Sequence, residues 1–400
     1  MTGGWAARLP TSTYRLQIRP GFDLTAAAGL IDYLADLGVG AVYLSPILRA
    51  ADGSEHGYDV VDHRVVDPAR GGSVGLIQLV AAAQAAGLDV VVDLVPNHAG
   101  VADAAQNPTW WDVLELGRES RFAHWYDIDW GRAPILLPQL GDDADAETEL
   151  SLVPSERTRS GWELRYYEHA YPVAPGTGPR DGDAAERVGA AAVHARQHYR
   201  LVSYRRADDE QNYRRFFAVT DLAGLRVEDE DVFRATHEVL LAEVAAGRVQ
   251  GLRIDHPDGL VDPGQYLDRL RAAAPAAWIT VEKILEPGEE LPTAWPVEGT
   301  TGYDALAEVA QVLTDPAGAP ALTAVYRELA GDDRAFDDHV TDGKRAVATT
   351  ILRAEFRRLA RLVPGVDGAE EALTELAVAF AVYRSYLPLG ADRLDEAVER

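Results

Sequence analysis

The sequence predicts an α/β chain built on a parallel sheet and long enough for a barrel of the (β/α)8 type. Three observations predict it. Strand and helix alternate through the first hundred residues, the best-marked strand is apolar on both faces, and 400 residues exceed the roughly 250 that such a barrel needs. Thr13 to Ile18 reads as the first strand. A helix follows from Asp23, with Leu30, Ile31, Leu34 and Leu37 on one face and Gly38 at its end. Ala41 to Leu44 is a short apolar strand closed by Ser45-Pro46. A second helix carries Leu76, Ile77, Leu79, Val80 and Ala83 and stops at Gly87. Leu88 to Val95, rich in valine, is the strand expected to be covered on both sides.

From residue 100 to 223 the rhythm breaks. This stretch holds five of the eight tryptophans (Trp110, Trp111, Trp125, Trp130 and Trp162) and a Gly/Asp-rich loop near 175–185. Structureless loops of such length are rare, so an inserted subdomain after the third strand is expected. The alternation resumes with a helix from Asp231 to Ala246 and a strand from Leu252 to Asp255. Asp262-Pro263 then forms a capping pair for a helix carrying Tyr266, Leu267 and Leu270, and Trp278 to Ile284 is another strand. Beyond Asp304 the pattern is helical, notably Ala346 to Leu362, Ala369 to Leu387 and Asp392 to Arg400. The expected organisation is therefore barrel over 1–99, inserted subdomain over 100–223, barrel continuation over 224–304, and a helical insertion over 305–400 with the barrel incomplete.

Composition narrows the function. With 38 basic and 64 acidic residues the net charge is -26, which disfavours nucleic acid and anionic membrane partners, both of which need a basic footprint. A neutral sugar carries no such requirement. There are no cysteines, so disulfides and thiolate metal sites are excluded. No signal-peptide core or run of about 18 apolar residues is present, and a cytoplasmic location is the default expectation. His194 and His198 stand four apart, as paired metal ligands on a helix do. Without an intervening Glu, and with Arg196 and Arg200 alongside, a solvated helix is the stronger reading.

Carboxylates are abundant, so context must sort them. In Gly251-Leu252-Arg253-Ile254-Asp255 apolar and polar residues alternate, and strand period two sends Arg253 and Asp255 to one face. A buried Arg favours the ionised form of a neighbouring carboxyl, as a nucleophile requires. The next strand delivers Glu282 just past Val281. Neighbouring parallel strands lie about 4.8 Å apart, close to the about 5–5.5 Å between the carboxyl groups of retaining glycosidases. Spacing alone still favours a structural Arg253–Asp255 ion pair with Glu282 as a solvated strand end.

Three ordered segments, Asp93-Leu94-Val95-Pro96-Asn97-His98, Gly251-Leu252-Arg253-Ile254-Asp255-His256 and Val281-Glu282-Lys283, resemble signature segments of the α-amylase superfamily. The resemblance implies an α-amylase-type barrel with Asp255 as nucleophile and Glu282 as general acid/base. It places sugar-contacting residues at Tyr58 and Asp59 (in His56-Gly57-Tyr58-Asp59), His98 and Arg253, with His56, Asn97, Asp93, His256 and Lys283 as further candidates. Further stretches are similar to maltooligosyl trehalose synthases in particular: Thr11–Gln17, Tyr43–Pro46, Ser54–Asp59, Asn212–Phe217, Asp221–Arg226 and Gly299–Asp304.

That family converts the reducing-end α-1,4 link of a maltooligosaccharide into an α,α-1,1 link while keeping water out, and no cofactor or metal is implied. The aromatic insertion is expected either to hold the released glucose or to form a local core. An amylomaltase-like 4-α-glucanotransferase and a maltooligosaccharide hydrolase are the neighbouring enzyme readings. A non-catalytic glucan-binding fragment is the reading of another class. One departure stands out: the family's third catalytic Asp directly follows a His, and none of the ten histidines here precedes an Asp. His339 with Asp342 lies in a helical stretch. The expectation is an N-terminal fragment whose missing C-terminal portion is a partner, and which is poorly stable and inactive alone.

Overall fold

The computed structural model describes residues 9–179 and 188–400, so the Gly/Asp-rich loop from residue 180 onward lies outside the described residues. Six parallel strands form the central sheet in chain order. They are β1 (Thr13–Leu16), β2 (Ala41–Leu44), β3 (Asp89–Leu94), β4 (Gly251–Ile254), β5 (Trp278–Val281) and β6 (Gly299–Thr300). Each pairs with the next in parallel, and β3 joins β4 directly although 156 residues separate them. Val90, Val91 and Val92 are buried on both faces of β3, as the valine run requires. The two-residue β6 is too short to leave a sequence signal.

The helices return between strands, with local corrections. The helix expected from Asp23 is two short ones, Leu24–Ala28 and Ile31–Asp36, because Gly29 caps the first. The break turns Leu30 and Leu37 to solvent while Ile31 and Leu34 stay buried. On Gly72–Ala86, Leu76, Leu79, Val80 and Ala83 face the core and Ile77 does not; Gly87, at φ 74°, ends the helix in the left-handed conformation glycine tolerates. The Asp262 side chain accepts from the Gln265 N–H and starts Pro263–Ala273, as expected.

Between β3 and β4 the chain builds a parallel pair, Ile135–Leu140 with Tyr199–Ser203, and a three-stranded antiparallel sheet over Ser151–Pro154, Trp162–Tyr166 and His169–Pro172. Trp110 is wholly buried, edge-on to Tyr126 and Tyr213 at 4.7 and 5.4 Å. Trp111, Trp125, Trp130 and Trp162 pack against the same core. The local-core reading of these tryptophans therefore holds. The insertion returns through Val219–Gly224, antiparallel to His98–Gly100.

The later helices are Tyr303–Leu313, Ala319–Ala330, Phe336–Thr349, Arg353–Ala360, Ala369–Ala379 and Ala391–Glu399. The expected helix over Ala369 to Leu387 stops at Phe380, which turns extended, and residues 380–389 become a strap bonded to the turn that follows β4. Leu306, Val312, Leu313, Leu322 and Leu329 are exposed by more than 60%. Together with the open edge at β6, that apolar surface is expected to drive self-association. Sedimentation velocity across a concentration series checks this; a monodisperse monomer throughout would overturn it.

Candidate active site

The register of three strands builds the site. Arg253 on β4 stands opposite Asp93 on β3 and Thr280 on β5, so in a parallel ladder their side chains share a face. Two ladder bonds continue past the strand ends: Asp255 N–H donates to Leu94 O at 2.9 Å, and Glu282 N–H to Ile254 O at 2.8 Å. Both carboxylates are thereby fixed at C-terminal strand ends, where barrels carry their chemistry.

Arg253 ties three carboxylates together. Its Nη1 donates to Asp93 Oδ1 and Asp255 Oδ1, both at 2.8 Å, and its Nη2 pairs with Glu282 Oε1 at 2.8 Å. Asp93 also accepts from Tyr43 Oη at 2.8 Å and Tyr58 Oη at 2.6 Å. Glu282 Oε2 accepts from His256 N–H at 3.0 Å. The same-face placement of Arg253 and Asp255 is as the strand period predicts.

The electrostatics depart from the sequence expectation. Arg253 does pull Asp255 down, but burial first and the Asp93 carboxylate second push it well above the usual carboxylate range. Burial likewise raises Asp93, against Arg253 and Tyr58. Asp93 and Asp255 share one guanidinium, which favours a proton retained between these two. Burial lowers His98 to about 3, so its imidazole is neutral.

A cavity of about 600 Å³ opens over this cluster. Of the candidates, His56, Tyr58, His98, Arg253, Asp255 and Glu282 line it. Asp59, Asn97, Asp93, His256 and Lys283 do not. Asp93 lies beneath the two tyrosines, and Asp59 accepts from Ser54 Oγ at 2.5 Å. Asn97 Oδ1 accepts from Arg214 at 2.6 Å, and the Lys283 side chain is buried against Asp258 and Glu289. His256 turns its ring toward Phe216, Phe217 and Tyr383.

Arg15, Tyr43, Phe216, Leu222, Thr301 and Tyr303 also line the cavity and were not singled out as site residues. A signal existed, since each lies in one of the family-like stretches. No insertion tryptophan lines it. His339 and Asp342 sit on Phe336–Thr349, away from the cavity. The solvated-helix reading of His194 needs correction: it is buried, with Nε2 accepting from Leu201 N–H at 2.8 Å. Among the described residues no group of three His, Asp or Glu is arranged to hold a metal, and no helix is long and apolar enough to cross a membrane.

Comparison with known proteins places this geometry. Residues 21–171 match the α-amylase catalytic domain. A Mycobacterium tuberculosis protein with the provisional name maltooligosyl trehalose synthase is 46% identical over 376 residues, covering 92% of this chain and 47% of that protein. The solved maltooligosyltrehalose synthase of Arthrobacter ramosus superposes with a TM-score of 0.91 at 51% identity, covering 97% of this chain and 50% of that one. A Sulfolobus tokodaii structure, described as a hypothetical maltooligosyl trehalose synthase, gives 0.83 at 33% identity over 96% and 51%. The chain thus spans about half the length of the relatives it matches. Its six-stranded sheet is part of an α-amylase-type barrel.

Proposed function

We propose that this chain, a homologue of maltooligosyl trehalose synthases along nearly its whole length, supplies the nucleophile and the acid/base of an intramolecular transglycosylation on maltooligosaccharides. The observation that carries the reading is Asp255 and Glu282 at neighbouring strand ends, bridged by one guanidinium at the cavity wall. That placement supports a double displacement with retention, which needs the two carboxyl groups about 5–5.5 Å apart.

In the proposed reaction an Asp255 oxygen attacks the anomeric carbon of the penultimate glucose. The bond to the reducing-end O4 breaks, and the Glu282 proton goes to that oxygen. The released glucose turns in the pocket, its anomeric hydroxyl gives a proton back to Glu282, and its oxygen displaces Asp255 to form the α,α-1,1 link. No water is consumed and one reducing end disappears. Tyr58 offers an apolar ring face, and Arg253 and neutral His98 offer donors to sugar hydroxyls. His56 stands at the same wall. Asp93 acts through Tyr43, Tyr58 and Arg253, and Asn97, Asp59, His256 and Lys283 act through their neighbours. A cytoplasmic location is part of the same proposal, to be checked by fractionating the source cells.

Among the described residues Asp255 and Glu282 are the carboxylates that line the cavity. We propose that the third carboxylate the resemblance implies comes from polypeptide corresponding to the other half of the relatives' length. Incubation of maltopentaose with this chain alone is expected to leave reducing ends unchanged, and addition of the corresponding second half of a relative to lower them. Loss with the chain alone would remove the need for a third carboxylate. New reducing ends would mean hydrolysis, and a ladder of chain lengths would mean glucan transfer between molecules. Binding without turnover in every preparation would leave a non-catalytic glucan-binding protein.

A further inference from the structure

The Glu282 carboxylate is held from two sides, by Arg253 and by the His256 N–H. His256 delivers that N–H from a left-handed backbone (φ 43°, ψ 54°), a conformation that strains a residue with a side chain. Such strain persists only where the surroundings over-determine it. Here they do so through the turn that follows, Pro257–Gly259. A side chain at Gly259 would collide with the His256 ring and Asn97, so the turn closes tightly onto both. Arg214 donates to the Gly259 carbonyl at 3.1 Å.

The strap over residues 380–389 grips the same turn. Arg384 Nη1 donates to the carbonyls of Asp258 at 2.8 Å and Leu260 at 2.6 Å, and the Tyr386 hydroxyl donates to the Asp258 carboxylate. Lys283, the residue after Glu282, has a wholly buried side chain whose ammonium pairs with Asp258 at 3.3 Å and Glu289 at 2.9 Å. Both ends of the His256–Glu282 hydrogen bond are thus tied to Asp258, which lies two residues beyond His256 and pairs with Lys283, one residue beyond Glu282. Tyr386 is braced in turn by Trp295, edge-on at 4.7 Å.

We propose that Lys283, Asp258 and Tyr386 are positioning residues that form a clamp, holding His256 in its left-handed conformation so that its N–H sets the orientation of Glu282. The catalytic part of this statement rests on the reading of Glu282 as the acid/base. Through the clamp the helical region governs the acid, which makes it more than a decorative insertion. Lys283 owes its place beside Glu282 to this task rather than to sugar contact.

The test compares the 400-residue chain with its Tyr386→Phe and Lys283→Met variants by amide hydrogen exchange read by NMR. Exchange at His256 is expected to quicken at least about tenfold in both variants, while the sheet amides of Val91 and Leu252 keep their rates. In the preparation that consumes reducing ends, kcat is expected to fall about tenfold with KM unchanged. Unchanged His256 exchange, or a rise shared by Val91 and Leu252, would reduce these residues to general structural support and overturn the clamp. Should Lys283→Met fail to fold, Tyr386→Phe decides alone, since it removes one hydroxyl. A His256 response in a protein that never consumes reducing ends upholds the clamp and overturns the catalytic reading.

Discussion

In the preparation that consumes reducing ends, Asp255→Asn is expected to lower turnover of maltopentaose by about 10⁴-fold or more, because the amide cannot form the glycosyl-enzyme bond. The same substitution is expected to stabilise the fold by about 1 kcal/mol near neutral pH, as removal of a strained site carboxylate commonly does. The sign follows from the raised Asp255 carboxyl. A raised group binds its proton more tightly in the folded than in the unfolded chain. Its contribution is therefore fully present below the unfolded value of about 4 and is lost as pH rises through the folded value. Asn suffers no such loss, so the variant's advantage in a urea midpoint series should be near zero at pH 4 and grow as the pH rises. A variant less stable than the parent at pH 8 would show that the Arg253 ion pair outweighs burial. Full activity in Asp255→Asn would remove Asp255 from the mechanism altogether.

Arg253→Met should have the largest effect on stability. The guanidinium is the shared counter-charge of Asp93, Asp255 and Glu282, and the Asp93 and Asp255 side chains are 0% and 8% exposed. Removing one member of a buried ion network costs about 3–5 kcal/mol, because the partners stay buried and unpaired. Against a total of about 5–15 kcal/mol for a folded domain, that is a large share of the stability and should lower the urea midpoint strongly at pH 7.5. Protonating the carboxyls removes the repulsion, so the deficit should shrink toward pH 5. Circular dichroism in a urea series at the two pH values measures both. Arg253→Lys keeps the charge but not the fork that reaches three carboxylates, and should fall between parent and Met. Equal urea midpoints for parent and Met variant would mean that the carboxylates are protonated or solvated enough to dispense with Arg253.

Much of the fold and the centre of the site was legible in the sequence, because both are written in short-range periodicity. Alternation along Leu252 to Asp255 put Arg253 and Asp255 on one face, and the strand beginning at Trp278 carried Glu282 to its end. The valine run placed β3 in the interior, and glycines and Asp-Pro marked where helices stop and start. The same period sets Lys283 against the face of Glu282, so its place outside the cavity was readable, though its membership of the Val281-Glu282-Lys283 segment obscured it.

Other features depended on segments far apart in the chain. Arg15, Tyr43, Phe216 and Tyr303 meet in one cavity only because the parallel sheet gathers β1, β2, the returning insertion and the turn after β6. The insertion tryptophans look alike in sequence; packing around Trp110 made them a core rather than a sugar platform. Helical pattern continued past Phe380, but Arg384 and Tyr386 find carbonyl and carboxylate partners on the barrel turn that an isolated helix does not offer. Asp255 illustrates the division most directly. Its face follows from alternation along its own strand, whereas its charge state follows from burial and from Asp93 on β3, and neither exists until the sheet has formed.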